Sequence, residues 1–411
     1  MSLQIIVIDF NSYFASVEQQ VNPKLRDQPV GVVPVVAETT CCIAASHEAK
    51  QWGVKTGTLV TEARQRCPNI IFVPARHDLY VKFHHAAIEI IDTILPVSKV
   101  MSIDEMACEL PVRWRHPDAA REKAAQIKTA LESGLGQCLK TSIGIAPNLF
   151  LAKTASNLQK PDGLVILQHS DLPGPLLKLP INALTGIGPG MAIRLNQYGV
   201  QSMQDLWKIS SDELGKMWGS IEGQHFHAKL HGLETPSLNS QRSTLSHSHV
   251  LPPRLRNAQG AYGVLNRLTQ KAAMRLRKIE LLAGALSVHI KFTERDSRGR
   301  RLVWKKEVSL PHTQHTVNFI RALDHLWSSL LSPHPTPSAV GMALFDLKEA
   351  QYQNGSLFDP GHRQDALYQT LDDLNIRYGK HTVFFAGAHA ALEEAPMRIA
   401  FNHIPDLQTE A

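Results

Sequence analysis

The sequence predicts a multidomain protein in which α/β and α+β parts follow one another along the chain. A length of 411 residues suggests roughly two to four domains. The apolar, β-branched run at residues 5–8 indicates a strand covered on both faces, as in an α/β sheet. Alternation at residues 285–295 indicates a half-buried strand in a second part. The composition, 43% hydrophobic and 19% charged, is typical of globular proteins.

Two strand-like segments lead into carboxylates. The first run ends in Asp9, and a strand predicted at residues 100–104 ends in Asp104 and is followed by Glu105, before a further short strand at 108–110. If these strands are neighbours, three carboxylates converge, which suits hard divalent cations. Two such ions can stabilise both the attacking and the leaving oxygen in phosphoryl transfer. Alternatively, Asp9 caps the helix predicted at residues 12–20.

These motifs together resemble the Y-family translesion DNA polymerases, closest in layout to the DNA polymerase IV branch. In that family a strand ends in a metal-binding Asp and a Ser-(Ile/Leu)-Asp-Glu turn supplies further carboxylates, which match Asp9 and residues 102–105 here. The resemblance covers nearly the whole chain. It implies a right-hand polymerase with palm, small fingers, helical thumb and α+β little finger. It also implies two Mg²⁺ ions, with the backbone carbonyl of Phe10 as a ligand.

The same resemblance implies the domain boundaries. We expect a catalytic palm at 1–24 and 76–166, fingers at 25–75, a thumb with a helix-hairpin-helix at 167–235, a DNA-binding little finger at 240–347, and a tail at 348–411. Palm strands are predicted at 5–9 and 141–145, with a helix at 118–131.

The segment at 46–57, SHEAKQWGVKTG, is similar to the fingers element whose Tyr and Arg hold the incoming triphosphate. His47 and Lys50 take those places, and Ala44 stands where a hydroxyl is common. Lysine keeps the positive charge but loses the planar fork that binds phosphate bidentately. Lys160 matches the palm lysine that meets the triphosphate; its alternative is an ordinary turn lysine.

Other positions of the family's nucleotide pocket also have matches. Phe14 stands where the family has an aromatic steric gate, which leaves no room for a ribose 2′-hydroxyl; a core residue of an amphipathic helix is the alternative. Cys41, Ile43 and Gly57 match positions that cover the nascent base pair. Lys153 is interpreted as a helix-surface or DNA-facing residue.

A glycine-rich turn is predicted to contact DNA. Gly186, Gly188 and Gly190 permit a tight turn before a helix whose free N–H groups can meet a phosphate, as in a helix-hairpin-helix. A dinucleotide-binding loop is the rival, but the spacing is GxGxG and no convincing strand precedes it.

Basic residues concentrate in one region. Residues 241–310 contain 15 Lys or Arg against 4 Asp or Glu, whereas the whole chain has a net charge of +6. A polyanion partner follows, which the resemblance implies to be primer-template DNA, and a solvated basic face is the alternative. Strands are predicted at 285–295, 303–310 and 339–347, and helices at 259–278 and 316–331.

The C-terminal part carries a candidate partner motif. Gln353, Leu357 and Phe358 resemble the peptide by which related polymerases dock on the sliding clamp, and a structural turn is the alternative. A helix followed by a short strand is predicted within 367–386. Five cysteines without CxxC spacing and the lack of a long apolar segment favour a cytoplasmic protein without membrane contact. We also expect a monomer.

The resemblance therefore implies a template-directed DNA polymerase of the translesion type that uses deoxynucleoside triphosphates and Mg²⁺. Two alternatives stay open. One is a DNA-binding accessory protein on a polymerase scaffold with impaired catalysis, which would explain His47 and Lys50. The other is a nucleotidyl cyclase, which also places carboxylates on a palm-like sheet but does not need the glycine turn or the basic region.

Overall fold

The computed structural model describes residues 2–236, 243–330, 335–352, 361–379 and 382–391, together with residues 399 and 404. The chain divides into two compact units, Met1–Leu238 with Ala400–Ile404 and Asn239–Ile399 with Pro405–Ala411. Within these described ranges, no helix combines the length and the apolar character required to cross a membrane.

The first unit alternates strands and helices and then ends in a helical segment. Its strands are β1 (Ile5–Phe10), β2 (Val30–Val33), β3 (Ala44–Ala45), β4 (Ile71–Pro74), β5 (Val97–Val100), β6 (Glu105–Glu109), β7 (Thr141–Ala146) and β8 (Leu164–Ile166). Its helices are α1 (Tyr13–Val21), α2 (His47–Gln51), α3 (Val60–Arg66), α4 (His77–Asp92), α5 (Pro117–Leu135), α6 (Leu149–Leu158), α7 (Pro189–Gln197), α8 (Met203–Lys208), α9 (Ser211–Trp218) and α10 (Glu222–Leu230). The predicted strands at 5–9 and 141–145 and the helix at 118–131 correspond to β1, β7 and α5.

A five-stranded sheet has β1 at its centre. The strand order is β5-β6-β1-β7-β8, and β1 runs antiparallel to both neighbours. Val7 shares a core cluster with Leu151 and Ala155 of α6. Because side chains alternate along a strand, Asp9 lies on the same face as Val7, whereas Ile8 faces the other side. Helix α6 therefore covers the sheet face that carries Asp9.

Strand β7 and helix α6 approach each other very closely. A Cβ atom on Gly144 would lie 2.0 Å from the carbonyl oxygen of Ala152 and 2.3 Å from the backbone nitrogen of Ser156. Only glycine fits at this crossing. Asn148 is the N-cap of α6, and its side chain accepts a hydrogen bond from the Leu151 N–H at 2.9 Å. This cap satisfies one of the free N–H groups at the helix start.

The strand predicted at residues 100–104 is wrong. Strand β5 ends at Val100, β6 begins at Glu105, and the residues between them form a hairpin loop. The Ser102 N–H donates to the carbonyl of Glu105 at 3.1 Å, and Ser and Asp favour such turns. Ile103 is only 6% exposed, so it extends the apolar run and hides the turn in the sequence. The strand predicted at 108–110 is the end of β6.

The rest of the first unit contains a small sheet and a helical segment. The three-stranded sheet has the order β3-β2-β4, with β2 antiparallel to β3 and parallel to β4. Helices α7 to α10 bury Leu195, Leu206, Leu214 and Phe226 in the core cluster that also contains α6. The helical segment is thus anchored to the same side of the five-stranded sheet.

The second unit is an antiparallel sheet covered by helices. Its elements are β9 (Thr244–Val250), α11 (Ala258–Lys278), β10 (Leu281–Arg295), β11 (Arg301–Thr313), α12 (Thr316–Ser328), β12 (Pro337–Glu349) and α13 (Gly361–Tyr378), with the strand order β11-β10-β12-β9. Leu276 and Phe319 from the helices pack with Val288, Ile290 and Met342 from the sheet. The predicted strands and helices of this region are found, but helix α12 ends at residue 328 instead of 331.

The sequence did not predict β9, because its residues TLSHSHV are mostly polar; pairing with β12 makes this segment a strand. The strand predicted after the tail helix is also wrong. Residues 382–385 form no strand, and a 3₁₀ helix, Ala386–Ala391, follows them. The backbone N–H of Phe385 donates to the Gln270 side chain at 3.1 Å, and Ala388 is buried. The segment is therefore held against α11 and not paired in a sheet, while its Val383 stays 37% exposed.

Candidate active site

The structure brings the predicted carboxylates together at one end of β1. Asp9 and Glu105 are direct partners in the pairing of β1 with β6. Directly paired side chains project from the same face of a sheet. Asp104 precedes Glu105, and its carbonyl oxygen accepts a hydrogen bond from the Phe10 N–H at 2.9 Å. The four residues predicted as metal ligands thus lie in one cluster.

Lys160 and Lys153 meet two of these carboxylates. The Nζ atom of Lys160 lies 2.7 Å from Oδ2 of Asp9, whose side chain is 6% exposed. The Nζ atom of Lys153 donates to Oε2 of Glu105 at 2.6 Å. Lys153 is therefore a member of the carboxylate cluster instead of a free helix-surface residue, and its contact with DNA stays a prediction. Its signal in the sequence is that no other residue of α6, LFLAKTASNL, is charged.

Asp9 does not cap helix α1, so that alternative is also wrong. The cap position is Ser12, which makes no side-chain capping hydrogen bond. The carboxylate of Asp9 is engaged by Lys160 instead, and this contact places Lys160 inside the site although its own segment is a turn.

Burial dominates the electrostatics of the cluster. It raises the pKa of Asp9 to about 7 against the lowering effect of Lys160, and the charges of Glu105 and Asp104 raise the pKa further. Burial also raises the pKa of Asp104, although the Ser102 hydroxyl donates to its Oδ1 at 2.6 Å and opposes the rise. Nearby positive charge is therefore needed to keep these carboxylates ionised.

Among the residues that the structure describes, no group of three or more His, Cys, Asp or Glu side chains is arranged to hold a metal ion. Each carboxylate instead meets its own donor, Lys160, Ser102 or Lys153. The chemistry of the donor set nevertheless fits Mg²⁺, which prefers hard oxygen ligands such as carboxylates.

A polar cavity of about 780 Å³ adjoins Lys160. Lys50 and His47 also line it, so the three residues predicted to bind the nucleotide share one cavity. The Nζ atom of Lys50 donates to the Ser12 hydroxyl at 2.7 Å. Lys50 is exposed as a residue, but partial burial of its ammonium group and the charge of Lys160 lower its pKa. His47 is exposed.

Phe14 is half-buried and rests on a second aromatic ring. It stacks on Tyr80 with 4.4 Å between ring centroids and 14° between planes. The Tyr80 hydroxyl donates to Glu18 at 2.7 Å, and Arg76 forms an ion pair with the same carboxylate. The Tyr13 hydroxyl donates to the carbonyl of Tyr80 at 2.7 Å. This network holds the ring behind Phe14 and was missed in the sequence, since its members lie far apart along the chain.

The three positions predicted to cover the base pair are neighbours in space. The Gly57 N–H donates to the carbonyl of Cys42 at 2.8 Å, which places Gly57 beside Cys41 and Ile43. Gly57 has a φ of 90°, in the region that favours glycine. Open space surrounds its Cβ direction to at least 4 Å, so the face of this loop is accessible.

The glycine turn leads into helix α7 without a preceding strand. Gly186 has a φ of 97°, and Gly188 is the N-cap of α7. Residues 167–188 are described throughout and contain no strand, which excludes the dinucleotide-loop alternative. Nothing lies within 4 Å of the Cβ directions of Gly188 and Gly190, so a backbone phosphate has access to the turn.

In the second unit, one face of the sheet is open and basic. Register pairs Lys305 with His289, and Lys291 lies two residues further along the same face. This face is opposite to the one that α11 and α12 cover. Not all of the basic surplus reaches solvent, because Arg267 and Arg275 are only 5% and 8% exposed. The predicted clamp-binding residues Gln353, Leu357 and Phe358 lie outside the described residues.

Solved structures define the class of this fold. A Y-family DNA polymerase chimera aligns with a TM-score of 0.69 at 24% identity, covering 84% of this chain and 98% of that chain. DinB from Sulfolobus solfataricus aligns with a TM-score of 0.52 at 24% identity, covering 83% and 98%. The fold is that of the Y-family polymerases, and the predicted right-hand fold class is confirmed.

Sequence comparisons give the family. The impB/mucB/samB family model matches residues 8–157, and the model of its C-terminal domain matches residues 242–357. DNA polymerase IV of Moorella thermoacetica is 33% identical over 387 residues, covering 92% of this chain and 94% of the relative. DNA polymerase IV of Bacillus velezensis is 31% identical over 409 residues, covering 96% and 95%. The chain belongs to the impB/mucB/samB family, and its resemblance to the DNA polymerase IV branch is confirmed.

Proposed function

We infer that this chain is a template-directed DNA polymerase of the translesion type, which adds deoxynucleotides to the 3′ end of a primer. The convergence of Asp9, Asp104 and Glu105 at one end of β1, with Lys160 beside Asp9, carries this conclusion. Relatives bear the name DNA polymerase IV, and one similar structure is an insertion ternary complex of Dbh DNA polymerase. DNA and deoxynucleoside triphosphates are therefore the substrates of a metal-dependent enzyme.

Asp9, the carbonyl of Phe10, Asp104 and Glu105 are the residues that would hold two Mg²⁺ ions. When bound, such ions stabilise the attacking and the leaving oxygen of the phosphoryl transfer. In that transfer the primer 3′-hydroxyl gives up its proton and attacks the α-phosphorus, and pyrophosphate leaves. The Ser102 hydroxyl orients Asp104, and the pairing of β1 with β6 sets the distance between Asp9 and Glu105. The sheet and the hairpin loop thus bring these residues together at one end of β1.

Lys160, Lys50 and His47 bind the triphosphate in this proposal. All three line the same cavity, and the two lysines supply positive charge where the leaving group becomes more negative. A lysine binds phosphate as a point charge and an imidazole N–H donates one hydrogen bond, so neither reproduces the bidentate contact of arginine. We expect this to raise the KM for the nucleotide more than it lowers kcat.

Phe14 acts as the steric gate against ribonucleotides, and Tyr80 supports it from behind. Cys41, Ile43 and Gly57 cover the nascent base pair from the accessible face of their loop. A loop that offers one glycine and two modest side chains leaves room for a distorted template base. This room beside the template base favours lesion bypass.

The duplex is gripped through its backbone. The turn at Gly186, Gly188 and Gly190 offers N–H groups at the start of α7, and Lys291 and Lys305 offer cations on the open sheet face of the second unit. These contacts do not read base edges, so binding is expected to be independent of sequence and sensitive to salt.

The accessory-protein alternative is less well supported, because the carboxylates and both lysines are present and in contact. The cyclase alternative leaves the glycine turn and the second unit without a role. A sliding-clamp contact, a monomeric state and a cytoplasmic location stay predictions. The predicted domain boundaries stay proposals as well.

Primer extension tests the function. Purified protein is given a primed template, Mg²⁺ and each deoxynucleotide, beside an Asp104→Asn variant and a matched Glu109→Gln control on the exposed end of β6. We expect extension by the wild type and the control and its loss in Asp104→Asn, with DNA binding unchanged. DNA binding without extension by the wild type would favour the accessory protein.

A further inference from the structure

The turn that carries Lys160 is held by a small hydrogen-bond network. The residues of this network have no role in the proposed function described above. Asn11 follows the predicted metal ligand Phe10 and precedes α1. Its Oδ1 atom accepts a hydrogen bond from the Asp162 N–H at 2.7 Å. Its Nδ2 atom donates to the Ser142 hydroxyl at 3.0 Å, and its backbone N–H donates to the carbonyl of Lys140 at 2.9 Å.

Ser142 links this network to the carboxylate cluster. It is fully buried and is the direct partner of Asp9 in the pairing of β1 with β7. Its hydroxyl also accepts the Gly163 N–H at 3.3 Å. Asn11 and Ser142 therefore hold two successive N–H groups of the turn that begins at Lys160.

A third contact holds the turn from the other side. The Nζ atom of Lys128 in α5 donates to the carbonyl of Asp162 at 2.6 Å and lies 2.7 Å from its carboxylate. Asp162 has a φ of 59°, a left-handed conformation that persists in a residue other than glycine only where its surroundings fix it. The turn is thus held in one conformation by neighbours on three elements.

We propose that Asn11 is a positioning residue that fixes the turn of residues 160–163 and thereby aims the Lys160 ammonium at the reacting phosphates. The proposal rests on the proposed role of Lys160. A side chain on an unfixed turn would sample positions away from the site, and misplacement by about 1 Å can cost up to about a hundredfold in rate. Asn11 itself need not touch the nucleotide.

A double-mutant cycle tests the proposal. Single-nucleotide insertion is measured for wild type, Asn11→Ala, Lys160→Ala and the double variant, with Asn22→Ala as an exposed asparagine control. We expect Asn11→Ala to raise the KM for the nucleotide roughly tenfold, and to add little once Lys160 is absent. Asn11→Asp keeps the Oδ1 acceptor for the Asp162 N–H, so its KM for the nucleotide should be closer to that of the wild type than to that of Asn11→Ala.

The outcomes separate this proposal from the function on which it rests. If Lys160→Ala leaves the KM unchanged, the proposed role of Lys160 fails and the positioning proposal falls with it. If Lys160→Ala raises the KM but the Asn11 and Lys160 effects are additive, only the positioning proposal is overturned. Thermal unfolding of each variant reports its stability. If Asn11→Ala does not fold, Ser142→Ala replaces it in the cycle, and the same non-additivity is required.

Discussion

The buried carboxylate of Glu18 makes Arg76 important for the stability of the first unit. The side chain of Glu18 is 3% exposed. It accepts hydrogen bonds from Nε of Arg76 at 3.1 Å, from Nη2 of Arg76, and from the Tyr80 hydroxyl at 2.7 Å. The substitution Arg76→Met keeps most of the length of this side chain but removes its charge and its donors. It would leave a buried carboxylate with Tyr80 as its remaining donor in this network.

The expected loss follows from how much of each partner is buried. Removing one partner of a fully buried ion pair costs about 3–5 kcal/mol. Arg76 is 47% exposed, so water already screens part of this interaction, and we expect a loss of about 2 kcal/mol. Adding Glu18→Gln removes the unpaired charge, while the amide oxygen still accepts the Tyr80 hydroxyl. The double variant should therefore regain most of the lost stability.

Differential scanning calorimetry of the full chain measures this effect in the transition of the first unit. A loss of about 2 kcal/mol corresponds to a fall in Tm of about 4–8 °C for a unit of this size. Arg64→Met is the matched control, because its pair with Glu38 is half-exposed on both sides and should contribute less than about 1 kcal/mol. A double variant less stable than Arg76→Met would refute the reasoning, since removing the charge would then have cost stability.

Three further predictions concern the site and its support. Lys153→Met should lower kcat roughly tenfold, with little change in the KM for the nucleotide, because Glu105 loses its ion pair; single-turnover kinetics would measure this. Phe14→Val should reduce the preference for deoxynucleotides over ribonucleotides by roughly a hundredfold, measured as a ratio of kcat/KM values. Burial lowers the pKa of His84 to about 4, opposed by its hydrogen bond to the Ile103 carbonyl and aided by the charge of His85. The unfolded chain therefore binds the extra proton first, so stability falls as the pH drops from about 6.5 towards 4, by about 2–3 kcal/mol at pH 4.5. In the His84→Gln variant this contribution of His84 to the fall in stability should be absent, as measured by urea titrations at pH 7 and 4.5. A variant with the same pH dependence of stability as the wild type would contradict this prediction.

The sequence predicted the carboxylate cluster because each member stands beside an apolar run. Asp9 follows directly on buried strand residues, and Glu105 begins the neighbouring strand. Local patterning of this kind can be read without knowing the fold. The position of the hairpin loop could not be read in the same way, because the buried Ile103 makes a turn look like a strand.

The partners of these carboxylates were harder to predict. Lys153 reaches Glu105 only because α6 lies across the same sheet face, 48 positions away along the chain. Asn11 meets Asp162 across 151 positions. Such contacts depend on tertiary packing. They produce no repeating pattern of the kind by which a helix or a strand is predicted from sequence. Lys160 was predicted from the family resemblance. The residues that hold its turn were identified only in the three-dimensional structure.

The contact at Gly144 has a consequence for how this protein can change over evolution. Because backbone meets backbone there, α6 cannot move away from or towards β7 through the exchange of one side chain for another. Substitutions on the outer surface of α6 therefore do not change the distance between Lys153 and Glu105. Substitutions can accumulate on that surface while the distance between the charged groups beneath it is preserved. A substitution of Gly144 itself would change both the spacing of α6 from β7 and the distance between these charged groups.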